Sequence, residues 1–151
     1  VRMLRSAIMV ATARPAGLFV LGLGAAALGV AVYALDRPAG SVAFLPAGLM
    51  FDGGFLGPFA GPLPTFIHAM AFSLMTVALL SPTRRARLAA CGIWVAANWL
   101  FEAAQHPAFT KMTGIGMPGA FDPLDMVAAP LGAAIAFLFM QGVAALEGMR
   151  T

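Results

Sequence analysis

Charge is what this sequence lacks. Only 10% of its 151 residues are charged, nine basic and six acidic, where a water-soluble domain carries about 25%. So few charges cannot cover a globule of this size. That excludes an ordinary soluble enzyme, a disordered tail and a nucleic-acid-binding domain, so no nucleic acid is expected among the partners. Cysteine is nearly absent too: Cys91 stands alone, which excludes an intramolecular disulfide and any cysteine-based metal cluster. The pI near 10.0 rests on cations scattered along the chain, and these read as topology signals of a membrane protein.

Apolar residues take the place of charge. They make up 61% of the chain, and the mean hydropathy is +0.90. Four stretches approach the roughly 20 apolar residues that a membrane helix needs: about 15–35, 64–81, 88–104 and 123–146. Pro15, Pro64 and Pro123 open three of them, and proline suits a helix start because the N–H it lacks would have no partner there. Each stretch is apolar around its circumference rather than striped. The expected fold is an all-α membrane protein, a single transmembrane domain over 1–151 with four transmembrane helices. A competing reading makes residues 1–34 a signal peptide, with Arg2 and Arg5 as its basic region and Val32-Tyr33-Ala34 as the cleavage site. The apolar stretch exceeds the about 7–15 residues of a signal-peptide core, which favours an uncleaved helix.

The cations orient the bundle. Arg2, Arg5, Arg14, Arg84, Arg85, Arg87 and Arg150 fall on one side, Arg37 and Lys111 on the other. The positive-inside rule then places both termini in the cytoplasm and the loops at about 36–63 and 105–122 outside. The first of these loops is rich in glycine and proline, yet it also carries Val42-Ala43-Phe44-Leu45, Leu49-Met50-Phe51, Phe55-Leu56 and Phe59. Such a segment is expected either to cap the bundle as an interfacial or shallow re-entrant loop or to lie flat as an aromatic belt.

With that topology Asp36, Asp52, Glu102, Asp122 and Asp125 gather at the outer face, and Glu147 alone is inside. His68, Glu102 and Asp125 come from three helices at similar depth. Asn98, Glu102, Gln105 and His106 share one face of the third helix. A carboxylate within a span normally turns inward and takes a partner, so His68, Glu102, Gln105, Asp122 and Asp125 form the candidate polar cluster. The plainer reading is structural: Asp122 before Pro123 is an N-cap, with Asp125 as the acid three residues on, and polar residues near helix ends glue helices together.

These residues carry a resemblance. His68 followed by Ala69-Met70-Ala71-Phe72, then Glu102 and Gln105, then Phe121-Asp122-Pro123-Leu124-Asp125 ahead of a Gly/Ala-rich helix, resemble the VanZ-like family of small bacterial membrane proteins. The likeness spans about 63–139. The chain reads Pro118-Gly119-Ala120 where the family often has an arginine, and Ala129 where it often has an asparagine. The resemblance implies a bacterial cytoplasmic (inner) membrane protein with its polar cluster at the outer face. The family's biochemistry is unsettled, so it implies a place and a site rather than a reaction.

Other chemistries are weaker. His68, Glu102, His106, Asp122 and Asp125 offer nitrogen and oxygen ligands, but no dedicated metal-ligand spacing is present. Met112, Met117 and His106 could hold Cu(I), though methionine is common throughout this chain. His68 could ligate a metal or a tetrapyrrole, with Ala69 and Ala71 leaving room; a hydrogen bond to a neighbour is the commoner fate of such a histidine, and no cofactor is expected. Ser73, Ser81 and Cys91 lack the neighbours that nucleophilic catalysis needs, and His106 before Pro107 reads as a loop boundary. Small-residue pairs (Gly22/Ala26, Ala25/Gly29, Ala129/Ala133, Gly132/Ala136) allow close helix approach within the bundle or to a partner.

Two functions compete. In the first, the cluster engages a lipid headgroup or cell-envelope precursor, with Glu102 and Asp125 binding cationic or hydroxyl groups and His68 moving a proton, as an imidazole ordinarily can near neutrality. In the second, the chain is a non-catalytic accessory subunit, part of a homo-oligomer or a larger membrane complex, and its small-residue faces and outer loop are the contact surfaces. Ion or proton translocation is weaker, because no acid continues the path inward.

Overall fold

The computed structural model describes residues 15–37, 46–51, 53–80, 83–117 and 121–149. Among them every regular element is helical: α1 (Pro15–Asp36), α2 (Pro62–Leu79), α3 (Arg84–Gln105), the short α4 (Pro107–Thr113) and α5 (Pro123–Gly148). Two 3-10 turns, Ala47–Leu49 and Gly57–Phe59, lie between α1 and α2. The four long helices occupy the four apolar stretches. Three of them, α1, α2 and α5, are long and apolar enough to cross a membrane. Helix α3 has 22 residues, about 33 Å at 1.5 Å per residue, but Arg84, Arg85 and Arg87 open it and Asn98, Glu102 and Gln105 line its other end.

The helices do not surround one shared axis as equal members. Helix α2 packs on α1, α3 and α5, and α3 packs on α5, while α1 makes its main contact with α2. The burial pattern agrees: Pro64, Thr65, Ile67, Ala69, Ala71, Ser73, Leu74 and Val77 of α2 are all buried. Three helices form the centre, and α1 is fastened to the flank of α2.

The contacts of α2 with α1 and with α5 depend on small residues. Helix α1 turns Leu18, Gly22, Gly29 and Val32 inward, the spacing of one helix face. A Cβ on Gly22 would lie 2.6 Å from Met75 Cγ and 2.8 Å from the Ala71 oxygen, and one on Gly29 would lie 2.7 Å from His68 Nε2. On α5, Ala129, Ala133 and Ala136 are buried, and a Cβ on Gly132 would overlap the Phe66 carbonyl of α2. Of the small-residue pairs, Gly22, Gly29, Ala129, Gly132, Ala133 and Ala136 are therefore used within the bundle. The apolar cluster beyond this approach is Leu18, Leu74, Val77, Ala90, Cys91, Ala133, Ala136 and Met140. Cys91 is a buried packing residue whose thiol faces the Ala133 oxygen at 3.4 Å.

Pro130 lies inside α5. It has no N–H for the carbonyl four residues back, that of Met126. Trp99 of α3 fills the vacancy: its Nε1–H donates to the Met126 oxygen at 2.8 Å. Outward, large apolar side chains stand exposed on α1, α3 and α5, among them Leu23 and Leu28, Ile93 and Leu100, Leu131, Ile135 and Leu138. Exposed apolar side chains in this number are consistent with a membrane protein.

The loop from α1 to α2 is partly described. Residues 38–45 and 52, including Val42-Ala43-Phe44-Leu45 and Asp52, lie outside the described residues, as do 1–14 and their arginines. The described part folds back on α1. The N–H groups of Phe51 and Gly53 donate to the Ala34 and Leu35 oxygens at 2.7 and 3.0 Å, two carbonyls that the end of α1 leaves free. Leu56 N–H donates to Asp36 Oδ1 at 2.9 Å. So this segment caps a helix, with Met50 buried and Phe51, Phe55 and Phe59 facing out. The second loop departs from expectation by containing α4, which ends at Gly114 with a left-handed φ of 71°.

Gly132→Ala should cost about 1–3 kcal/mol, because a backbone carbonyl cannot move aside for the new methyl. Gly142→Ala, whose Cβ would meet nothing within 4 Å, should be neutral or gain up to about 1 kcal/mol from helix propensity. Unfolding midpoints in detergent measure both. In the same assay Trp99→Phe should lose about 1–2 kcal/mol by leaving the Met126 oxygen unpaired. In a Pro130→Ala background, which restores the backbone donor, that loss should largely vanish.

A candidate polar site at one end of the bundle

Helix directions bring four ends together. Helices α1 and α3 finish at this end, and α2 and α5 begin there. The starts of α2 and α5 are so close that a Cβ on Gly61 would lie 2.8 Å from Asp122 Oδ2. Two helix N-termini thus point their positive ends at one group of acids, a favourable arrangement for carboxylates.

Asp122 caps α5: its Oδ1 accepts from the Leu124 N–H at 2.9 Å. In a capping box the acid three residues on would accept the N–H of the cap residue. Here Glu102, from α3, takes that role, its Oε2 accepting the Asp122 N–H at 3.1 Å. Glu102 is 5% exposed. Asp125 is thereby released from capping. Its carboxyl turns toward the Thr65 hydroxyl of α2 and the carboxyl of Glu102. It is 9% exposed, and its Oδ1 is buried without a hydrogen-bond partner. Such an atom costs about 1–3 kcal/mol or more, so it asks for a donor.

The five candidate residues separate into groups. Glu102, Asp122 and Asp125 converge as described. His68 lies one turn deeper than Thr65, and its described contacts are aromatic. Its ring is 5.7 Å from both Tyr33 and Phe72, and Phe72 stacks on Trp94 at 4.6 Å. Gln105 ends α3 half-buried, and none of the described hydrogen bonds joins it to the acids. The stacking has a consequence for tetrapyrrole ligation: Tyr33 and Phe72 flank the imidazole, Gly29 lies against Nε2, and Ala69 and Ala71 are sealed in packing at 0% exposure. Among the described residues no three His, Cys, Asp or Glu are grouped to hold a metal ion.

The remaining polar residues find local partners. His106 marks the break between α3 and α4, with its Nδ1 accepting from the Ala108 N–H at 3.2 Å and its ring edge-on to Phe121. Asn98 donates to the Trp94 oxygen and Ser73 to the Ala69 oxygen, each within its own helix. Trp94 Nε1–H donates to the Thr76 hydroxyl at 2.8 Å.

Three residues that sequence reasoning passed over belong to this end. Thr65 faces Asp125. Tyr33 lies within electrostatic range of Arg37, Glu102 and Asp125. The Arg37 guanidinium stands 5.8 Å over the Tyr33 ring, and its buried Nε has no hydrogen-bond partner. Thr65 was legible in principle, one helical turn before His68. Tyr33 and Arg37 were not, because nothing in the sequence shows that α1 packs on α2 in this register.

Glu102→Gln keeps an oxygen that can accept the Asp122 N–H, whereas Glu102→Ala removes it. The alanine variant should be less stable than the glutamine variant by about 1–2 kcal/mol, read from unfolding midpoints in detergent. No protein-family model, curated protein or solved structure matches this chain.

Proposed function

We propose that this chain is a VanZ-like integral membrane protein of the bacterial inner membrane that holds a polar lipid headgroup or cell-envelope precursor at the acid cluster. In this reading all four long helices span the bilayer, both termini are cytoplasmic and the cluster lies at the outer face. The arginines at the start of α3 support that orientation through the positive-inside rule. Helix α3 crosses despite its polar end because Glu102 is buried against α5 instead of facing lipid.

One observation carries the functional part. Glu102, Asp122 and Asp125 converge from two helices, and one buried oxygen of Asp125 is still open to a donor. A purely structural cluster would close its own hydrogen bonds. An ammonium or hydroxyl group entering from the headgroup layer would complete this one. His68 lies beside the cluster, between the Tyr33 and Phe72 rings. The accessory-subunit reading gains no specific support, since Gly22, Gly29 and Gly132 are all used in internal packing.

The test is the native mass of the full chain extracted in a mild detergent, with retained lipids read in the same spectra. Wild type should keep a phospholipid or an envelope precursor. Glu102→Gln and Asp125→Asn should lower its occupancy about tenfold at unchanged melting temperature, the equivalent of about 1.4 kcal/mol. Equal retention by wild type and both variants, or other polypeptides in fixed ratio with no lipid, would defeat the proposal.

A further inference from the structure

We infer that the group held at this site is zwitterionic: an ammonium set on Asp125 and Glu102 and a phosphate set against Arg37, both carried by one aminophospholipid headgroup. The inference rests on the headgroup reading above and specifies its chemistry.

Two buried side-chain atoms among the described residues have no hydrogen-bond partner, Asp125 Oδ1 and Arg37 Nε. One is an acceptor wanting a donor, and the other is a donor wanting an acceptor. They come from distant parts of the chain, the first turn of α5 and the residue just after α1. The Arg37 guanidinium stands 5.8 Å over the Tyr33 ring, Asp125 acts on the same Tyr33 side chain, and the end of α1 and the start of α5 lie at the same end of the bundle. They have not satisfied each other. Asp125 is 9% exposed, so its open oxygen is held inside the protein rather than in bulk solvent.

Charge selects the ligand. A simple anion would suit Arg37 but would face Glu102, Asp122 and Asp125. A simple cation would suit the acids but would face Arg37. A molecule bearing both signs a short distance apart completes both open atoms without leaving a new charge unpaired. Arginine suits phosphate oxygens, and a primary ammonium has N–H groups to give a carboxylate. The apolar rim indicates the source. Phe51, Phe55 and Phe59 are 70%, 79% and 68% exposed in the loop that folds back at this end, where acyl chains joined to the headgroup would lie.

The test titrates the purified full chain in a maltoside detergent, with binding read by native mass spectrometry. The probes are short-chain phosphatidylethanolamine, phosphatidylcholine and phosphatidylglycerol, and soluble phosphoethanolamine. Phosphatidylethanolamine should bind about tenfold more tightly than phosphatidylglycerol, which lacks the ammonium, or phosphatidylcholine, whose ammonium has no N–H. Asp125→Asn should abolish that preference, and Arg37→Gln should weaken all three lipids alike. Glu102→Gln serves as the second acid variant if Asp125→Asn does not fold. Equal binding of phosphatidylethanolamine and phosphatidylglycerol by the wild type, or a preference that survives both acid variants, overturns the zwitterion inference and leaves headgroup binding standing. Binding of no lipid at all defeats the headgroup reading itself. Soluble phosphoethanolamine binding as tightly as the lipid overturns the lipid source.

Discussion

The approach of α5 to α2 is the constraint from which the rest follows. At Gly132 the two helices are so close that a methyl group would overlap the Phe66 carbonyl. Only a surface almost without side chains permits this, and Ala129, Ala133 and Ala136 extend it along α5. Both helices start at the same end, so the approach sets their first turns side by side. Asp125 then reaches Thr65, and Asp122 lies against Gly61. Without that approach Asp125 would not face the Thr65 hydroxyl, and Asp122 would not meet the start of α2.

Satisfying backbone groups in apolar surroundings is the second constraint. Water cannot serve a free carbonyl within a membrane, so each must find a partner in the protein. The structure answers this at three places with different chemistry. Trp99 serves the carbonyl that Pro130 leaves open. The returning loop serves two carbonyls at the end of α1. Glu102 serves the N–H of Asp122, a task normally done by an acid of the same helix. The third answer changes the acid cluster, because it frees Asp125 from capping and leaves it facing Thr65 with one buried oxygen unpartnered.

Structural and functional readings of the polar residues therefore coexist at this end, divided by residue. Asp122 is a cap. Glu102 is a tertiary cap and the companion of Asp125. His68 belongs to an aromatic row that crosses from α1 through α2 to α3. Among the described residues, the buried side-chain atoms without a hydrogen-bond partner belong to Asp125 and Arg37, which carry opposite charges.

The apolar runs, the prolines at helix starts and the paucity of charge determined by themselves that the described elements are helical and that three of them are long and apolar enough to cross a membrane, because helix preference and transfer free energy act locally along the chain. The capping role of Asp122 and the boundary at His106 were legible for the same reason: each depends on neighbours one to three residues away. Tertiary structure alone decided that α1 sits on the flank of α2, that the small-residue faces are used internally, and that Tyr33 and Arg37 join the acids. It also decided which acid would be left open. Asp122 and Asp125 read from sequence as a cap and its partner, and only the arrival of Glu102 from another helix changed that assignment. Composition and periodicity record what each residue prefers next to its neighbours in sequence, and the partner of a buried polar atom depends on which helix lies beside it in space.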